Sequence, residues 1–248
     1  MVLKRKRKRE YYKEFKIVRG VFDEHTLLIL YKLLNKNKIS IESLLKEGKE
    51  SIVLSGLIKR RDWVAIKVYR TEACDFKTMW KYIIGDPRFR RMGKNRRIIV
   101  KLWCQREYKN LKIAFNAGVA CPEPLFFSEN ILIMSFIGND GSTAPRLIDI
   151  KPDDPEDVYE NVMLNLNKLV GNGLIHGDLS AYNILLLDRP FFIDFSQGTT
   201  IKNPMASQLL KRDIKNVNSY FLKLNVAIKD SDQIYKELEQ TIEKKASK

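Results

Sequence analysis

The apolar positions of this chain change their period several times, and each change marks an element. After Asp23, residues Leu27, Leu28, Leu30, Tyr31 and Leu34 recur at helical spacing. They predict a helix that starts near Asp23, with Asp23 as its N-cap and Phe22 and Leu27 in the two places of a hydrophobic staple. Three β-like runs follow, at residues 41–46, 51–58 and 63–69, separated by turns at Glu47-Gly48-Lys49-Glu50 and at 59–62. Residues 71–101 have no clean period; their first half is rich in aromatics and their second half in basic residues. Residues 105–116 read as a helix with Gly118 just beyond its end. Strands are expected at 126–127 and 131–136, then a turn-rich hinge at 138–145. The stretch 155–172 is amphipathic, with Val158, Tyr159, Val162, Met163, Leu166, Leu169 and Val170 on one face and Gly173 after it. Two further helices are expected at 204–224 and 232–245. There is no internal repeat. The order is strands, one helix, more strands, a hinge and a mainly helical half, which predicts two lobes with ligand binding between them.

Composition narrows the class. An apolar content of 44% in 248 residues supports a true core. Cys74, Cys104 and Cys121 are far apart in sequence and form no paired metal motif, which argues against a zinc site; with only His25 and His176 a His-rich metal centre is excluded, and a reducing, cytoplasmic setting is expected. No apolar run reaches the roughly 18 residues of a membrane span, and the basic N-terminus lacks the apolar stretch of a secretory signal. The net charge of +15 is localised: residues 1–19 and 86–106 each carry a net +7. Lys4 to Arg9 is an unbroken basic run and reads as a disordered arm. Two concentrated basic segments on a nearly neutral body predict a polyanionic partner, RNA or ribonucleoprotein, through residues 4–9 and 88–106.

Candidate chemistry sits at the ends of apolar runs. Val64-Ala65-Ile66-Lys67 ends a strand-like run in a lysine, which is costly to bury unless paired; the tetrapeptide has the form of the protein-kinase third-strand signature. His176-Gly177-Asp178-Leu179 with Asn183 has the form H-x-D-L-x-x-x-N. Asp194 follows Asp178 by sixteen residues, in Asp194-Phe195-Ser196, where kinases have D-F-G. In that template the first Asp takes or orients the proton of the attacking hydroxyl, and the Asn and second Asp hold magnesium through hard oxygen donors.

The chain resembles the RIO-type atypical serine/threonine protein kinases, and among them the type 1 branch in its archaeal form. The resemblance is carried by Gly48-Lys49-Glu50-Ser51, Ala65 to Thr71, Phe76-Lys77-Thr78-Met79-Trp80-Lys81-Tyr82, Gly85-Asp86-Pro87-Arg88-Phe89, Glu107-Tyr108-Lys109-Asn110-Leu111, Ala144-Pro145-Arg146-Leu147, the catalytic-loop motif, and Ile193-Asp194 with Ser196-Gln197. It implies an α+β, bilobal protein-kinase-like fold. The N-lobe would have an antiparallel sheet with one main helix plus an N-terminal helix, and the C-lobe would be mainly helical with a truncated activation segment. A basic arm at 1–20, an N-lobe at 21–137 with a flexible insertion at 71–101, and a C-lobe at 138–248 follow from it. By position, Lys67 would bind phosphate and pair with Glu107; Asp178 would be the catalytic Asp; Asn183 and Asp194 would bind magnesium. Lys49 and Ser51 would lie over the phosphates, Met134 at the back of the adenine pocket, and Ser135 and Ile137 would offer backbone groups to adenine. ATP and Mg2+ (or Mn2+) are the implied cofactors, and the small ribosomal subunit and its RNA the implied partners.

Departures qualify the transfer. The phosphate loop has one glycine, as RIO kinases do; Ser135 stands where the family usually has an acid; Ser180 replaces the usual catalytic-loop lysine. Lys67 and Glu107 are 40 residues apart, and the segment between them contains Thr78 but no serine, so the serine that family members autophosphorylate there is missing. Only 54 residues follow Asp194, too few for the usual peptide-docking helices. Two readings stay open: a kinase for serine in a restricted protein substrate, or an ATPase switch that docks on pre-ribosomal RNA and forms a phospho-aspartate at Asp194. Aminoglycoside phosphotransferases and the Bud-type kinase of the KEOPS complex share H-G-D-L but lack the G-D-P-R-F insertion. Type 2 RIO kinases carry a winged helix, for which 47 residues before Gly48 are too few. A non-catalytic pseudokinase conflicts with the intact Lys67, Glu107, Asp178, Asn183 and Asp194. His176 is expected to pack rather than act as a base, Trp80, Tyr82 and Phe89 to anchor the insertion, and Asp213 either to support the catalytic loop or to form a surface ion pair.

Overall fold

The computed structural model describes residues 22–72, 74–86, 88 and 95–246, with side chains through 241. The basic arm, including Lys4 to Arg9, and Pro87, Phe89, Arg90, Arg91 and Lys94 of the second basic segment lie outside the described residues. The chain forms two compact units, neither contiguous in sequence. The first gathers residues 22–79, 95–105 and 125–143, and the second the remaining described residues.

The first unit is a five-stranded sheet with a helix on it. Helix α1 (Glu24–Asn37) starts where Asp23 accepts a hydrogen bond from the Thr26 amide at 3.0 Å, and its acidic first turn complements the helix dipole. Strands β1 (Ile39–Glu47), β2 (Ser51–Ile58), β3 (Asp62–Tyr69), β4 (Pro124–Ser128) and β5 (Ile131–Ser135) lie in the order β1-β2-β3-β5-β4. Antiparallel pairing sets Val53 opposite Lys67 and Lys67 opposite Leu132. Leu30 and Leu34 of α1 pack with Ile52, Leu54, Val64, Ile66, Val68, Ile131 and Ile133 in one apolar cluster, with Phe22 and Leu27 at its margin. The staple therefore closes onto the sheet. A two-residue-per-strand hairpin, β6 (Gly138–Asn139) and β7 (Ser142–Thr143), follows the sheet. Gly141, at φ 78°, is turned against Trp63, whose ring would stand 2.4 Å from an added Cβ.

Helix α2 (Phe76–Ile84) and helix α3 (Arg96–Asn116) correct the sequence reading of 71–101 as a loop and of the next helix as starting at Gln105. The basic residues hid the period. Ile99, Val100, Leu102, Trp103 and Cys104 are buried on α3, whereas Arg96, Arg97 and Lys101 are exposed, so one helix has a core face and a cationic face. Asp75 caps α2 through the Thr78 amide and hydroxyl, at 3.2 and 2.7 Å.

The second unit is mainly helical. Helix α4 (Pro155–Gly171) has Asp154 as N-cap and a proline in its first turn. Short pairs β8 (Leu174–Ile175) with β11 (Thr199–Thr200), and β9 (Ile184–Leu186) with β10 (Pro190–Phe192), frame the irregular loops. Helices α5 (Ala206–Leu222) and α6 (Ser231–Ala246) complete it; Leu210, Ile214, Val217 and Phe221 of α5 are buried in its core. All three thiols are buried, and burial pushes those of Cys74 and Cys121 up to about 12. Among the described residues no helix is long and apolar enough to cross a membrane.

Candidate active site

In the first unit, strand register places the candidate residues. β3 is paired on both sides, and every residue from Val64 to Tyr69 is buried. Lys67 is therefore an amine held at 5% exposure in the middle of a sheet, its Nζ 5.1 Å from the Tyr69 ring centroid. Burying an ammonium is tolerable only where charge or π density meets it. The turn of Gly48, Lys49 and Glu50 is closed by the Gly48 amide donating to the Ser51 carbonyl at 2.9 Å, and Arg70 donates its amide to the Glu50 carbonyl at 2.8 Å. Arg70 also ion-pairs with Glu47. Ser51 opens β2 opposite Tyr69, two residues along β3 from Lys67. Met134 stands opposite Ala65 and Ser135 opposite Val64, with Phe136 donating to the Trp63 carbonyl and half-buried Ile137 next.

In the second unit, irregular backbone is held by side chains. Gly177 has φ 75°, and an added Cβ would stand 2.8 Å from the Gln197 carbonyl, so glycine is required. Asp213 of α5 is fully buried and takes the Gly177 amide on Oδ2 at 2.7 Å and the Leu179 amide on Oδ1 at 2.9 Å. Arg212 donates to the Gly177 carbonyl and Asn216 to that of Leu179 at 3.2 Å. One helix thus grips both peptides flanking Asp178. Of the two roles open for Asp213, the structure selects loop support. Burial raises its carboxyl to about 7 against the pull of the two amides and Arg212.

Asp178, Asn183 and Asp194 come together. Asn183 donates its amide to the Asp178 carbonyl at 2.8 Å and to Asp178 Oδ2 at 3.1 Å. The Ile193 amide donates to the Asn183 carbonyl at 3.0 Å, so the strand leading to Asp194 is tied to the Asn183 turn. Asp194 is left-handed, φ 62° and ψ 69°, and the Ser196 hydroxyl donates to its Oδ1 at 2.7 Å. Burial, then the Asp194 charge, raises the Asp178 carboxyl, while Arg212 and the Asn183 hydrogen bond pull it down. Two carboxylates that repel each other beside an amide oxygen fit a hard dication, which would relieve that repulsion. His176 is fully buried, its Nε2 3.0 Å from the Ile193 carbonyl and its ring 4.7 Å from that of Phe195, in keeping with a packing role.

A second set of polar residues braces the backbone after Asp194, and it corrects the expectation for two cations of 88–106: Arg88 and Arg106 are spent inside the protein rather than offered to a polyanion. Asn110 of α3 donates to the Phe195 carbonyl at 2.9 Å and the Gly198 carbonyl at 2.7 Å. Its Oδ1 accepts from Arg88 at 2.8 Å, and Arg88 also clasps Asp86 through two further bonds. Arg106, fully buried, lies 3.3 Å from Asp86 and donates to the Gln197 carbonyl at 3.3 Å. Burial alone would raise Asp86, but Arg88 and Arg106 hold its carboxyl below the usual carboxylate range. Burial lowers Arg106 to about 10, with Asp86 opposing. A signal existed: Asn110 lies three residues from Glu107, on the same face of α3, and both are buried there.

Comparison with known proteins shows the family and the fold. Residues 52–234 match the RIO domain family. The chain is 39% identical over 223 residues to the RIO-type serine/threonine-protein kinase Rio1 of Methanocaldococcus jannaschii, covering 89% of this chain and 76% of that protein. It is 36% identical over 224 residues to the Rio1 kinase of Haloferax volcanii, covering 90% and 77%. A crystal structure of the Rio2 kinase from Chaetomium thermophilum in an ADP/Mg2+-phosphoaspartate complex shares the fold, with a TM-score of 0.66 at 20% identity over 87% of this chain and 66% of that one. The expected α+β kinase-like fold is thus borne out, and the chain belongs to the RIO family of serine/threonine protein kinases.

Proposed function

We propose that the chain transfers the γ-phosphoryl group of ATP to a serine hydroxyl on a protein partner, in the cytoplasm, during maturation of the small ribosomal subunit. The convergence of Asp178, Asn183 and Asp194 on a loop clamped by Asp213 carries the reading. In the step, the serine oxygen bonds to the γ-phosphorus, the bond from that phosphorus to the bridging oxygen breaks, ADP leaves, and the hydroxyl proton passes to the Asp178 carboxylate. Asn183 and Asp194 would hold Mg2+, with Mn2+ as a substitute, which when bound neutralises phosphate charge. Lys67, supported by Glu107, would hold the α- and β-phosphates; Lys49 and Ser51 would cover them. Met134, Ser135 and Ile137 would receive adenine. The basic arm and the exposed cations of 88–106 would meet ribosomal RNA.

A second reading, an ATPase switch with phosphate resting on Asp194, is favoured by one observation. Only residues 195–205 separate Asp194 from α5, and eleven residues leave little backbone to dock a peptide. The Rio2 relative whose structure holds a phosphoaspartate supports it. The deciding experiment follows the γ-phosphate of ATP during magnesium-dependent turnover, with and without small-subunit ribosomal RNA, beside Asp178→Ala. Phosphoserine on protein, lost in the variant, is expected. Free phosphate stimulated by RNA without phosphoserine would replace the kinase reading by the switch, and no turnover would remove both.

A further inference from the structure

Four cations of the first unit line one surface cleft of about 560 Å³: Lys38, Lys59, Arg60 and Arg61, with only Ile39 and Ser40 beside them. All four are exposed, and none forms an ion pair with a carboxylate among the described residues. Their backbone is unusual. Lys38 (φ 56°), Lys59 (φ 50°) and Arg60 (φ 59°) are all left-handed. The Arg61 amide closes the β2–β3 turn on the Ile58 carbonyl at 3.0 Å, and the Lys59 amide donates to the Lys38 carbonyl at 2.8 Å, so the two cationic turns are fastened together. Two successive left-handed residues mark a type I′ turn, which prefers Asn-Gly, and a left-handed helix C-cap prefers Gly or Asn. Here three such places hold three long cations. Local rules broken together at one spot point to a function that needs the side chains.

We propose that this cleft binds the sugar–phosphate backbone of single-stranded RNA. The site is separate from the nucleotide site: it lies at the Ile58–Asp62 end of the β2–β3 hairpin, whereas the Gly48–Glu50 turn lies at the Ser51–Tyr69 end. Seven residue steps at about 3.3 Å put the two ends roughly 23 Å apart. The lining has no acid to repel phosphate and no aromatic to stack a nucleobase, so it reads the backbone. Ile39 is the one apolar residue of the lining and no aromatic residue joins it, so the cleft offers no large apolar anchor of the kind that centres a protein interface. The choice of RNA among polyanions rests on the proposed ribosomal role.

The test replaces charge while improving the turn. Lys59→Asn with Arg60→Gly restores the preferred I′ residues and removes two cations; Lys59→Arg with Arg60→Lys keeps the charge. Binding of fluorescent oligouridylate to the full chain is measured across a salt series, with thermal unfolding alongside. The Asn-Gly variant should melt at or above the wild-type temperature and bind at least about fivefold more weakly. Its log–log salt slope should fall by about 1.4, two phosphate contacts at about 0.7 each. The charge-retaining variant should bind as wild type. Unchanged affinity and slope in a folded Asn-Gly variant would overturn the site while leaving the ribosomal reading standing. No binding by the wild-type chain would remove both. Equal loss of poly-glutamate binding would overturn the assignment to RNA.

Discussion

The two units place their candidate groups by different means. In the first, Lys67, Ser51, Met134 and Ser135 are positioned by strand register: once β3 pairs with β2 and β5, each side chain has its place. In the second, Asp178 and Asp194 sit on backbone that no ladder holds, and side chains from far along the chain fix it: buried Asp213 and exposed Arg212 on one loop, buried Asn110 and Arg106 on the other. Register is redundant, since a strand survives the loss of one side chain. A buried side-chain clamp is not, because removing it strands donors and acceptors that water cannot reach.

That contrast can be broken at graded sites. Asp213→Asn should do most damage. Its amide can accept only one of the two peptide N–H groups and turns an NH2 toward the other, a cost of about 1–3 kcal/mol in stability. ATP turnover should drop by about a hundredfold if loop geometry is lost. Denaturant unfolding and turnover check both; turnover within threefold of wild type would show that the loop holds itself. The same pair of proteins gives a pH test. Because the folded Asp213 carboxyl is raised to about 7 from 3.8, its share of stability is fully present below pH 3.8 and is lost as pH rises toward 7. The advantage of wild type over the non-titrating Asn variant should therefore shrink across that window, and an advantage that grows would reverse the sign.

Asn110→Ala comes next. The Phe195 and Gly198 carbonyls lose their shared donor, at about 1 kcal/mol. Faster amide exchange through residues 195–198 should accompany weaker Mg2+·ADP binding by calorimetry, while binding of metal-free ADP stays near wild type. Unaltered exchange would show that the brace is idle. Ser135→Ala should do least, less than twofold in the Michaelis constant for ATP, because register presents its backbone whatever the side chain; a tenfold rise would show that the hydroxyl itself reads the nucleotide.

The same contrast explains what the sequence made legible. Short apolar runs bounded by turns reveal β2 and β3 nearly to the residue, and the spacing of Asp178, Asn183 and Asp194 is local enough to carry its own signature. Pairs such as Asn110 with Gly198, or Asp213 with Gly177, lie 88 and 36 residues apart and have no period to betray them. Asp213 could be suspected but not assigned. Helix α3 reads too short from the sequence for another reason: Arg96, Arg97 and Lys101 suggest a solvated loop, though they are only the outer face of a helix whose other face is apolar.

The burial of the cysteines has a practical side. Cys74, Cys104 and Cys121 are at most 6% exposed, and the first and last hold their protons to about pH 12, so the thiolate that attacks a maleimide is scarce near neutrality. The natural chain is therefore a quiet background for probes. One cysteine introduced at exposed Lys46 would carry a single environment-sensitive dye, and its emission could be followed as ATP is added without first removing any native thiol.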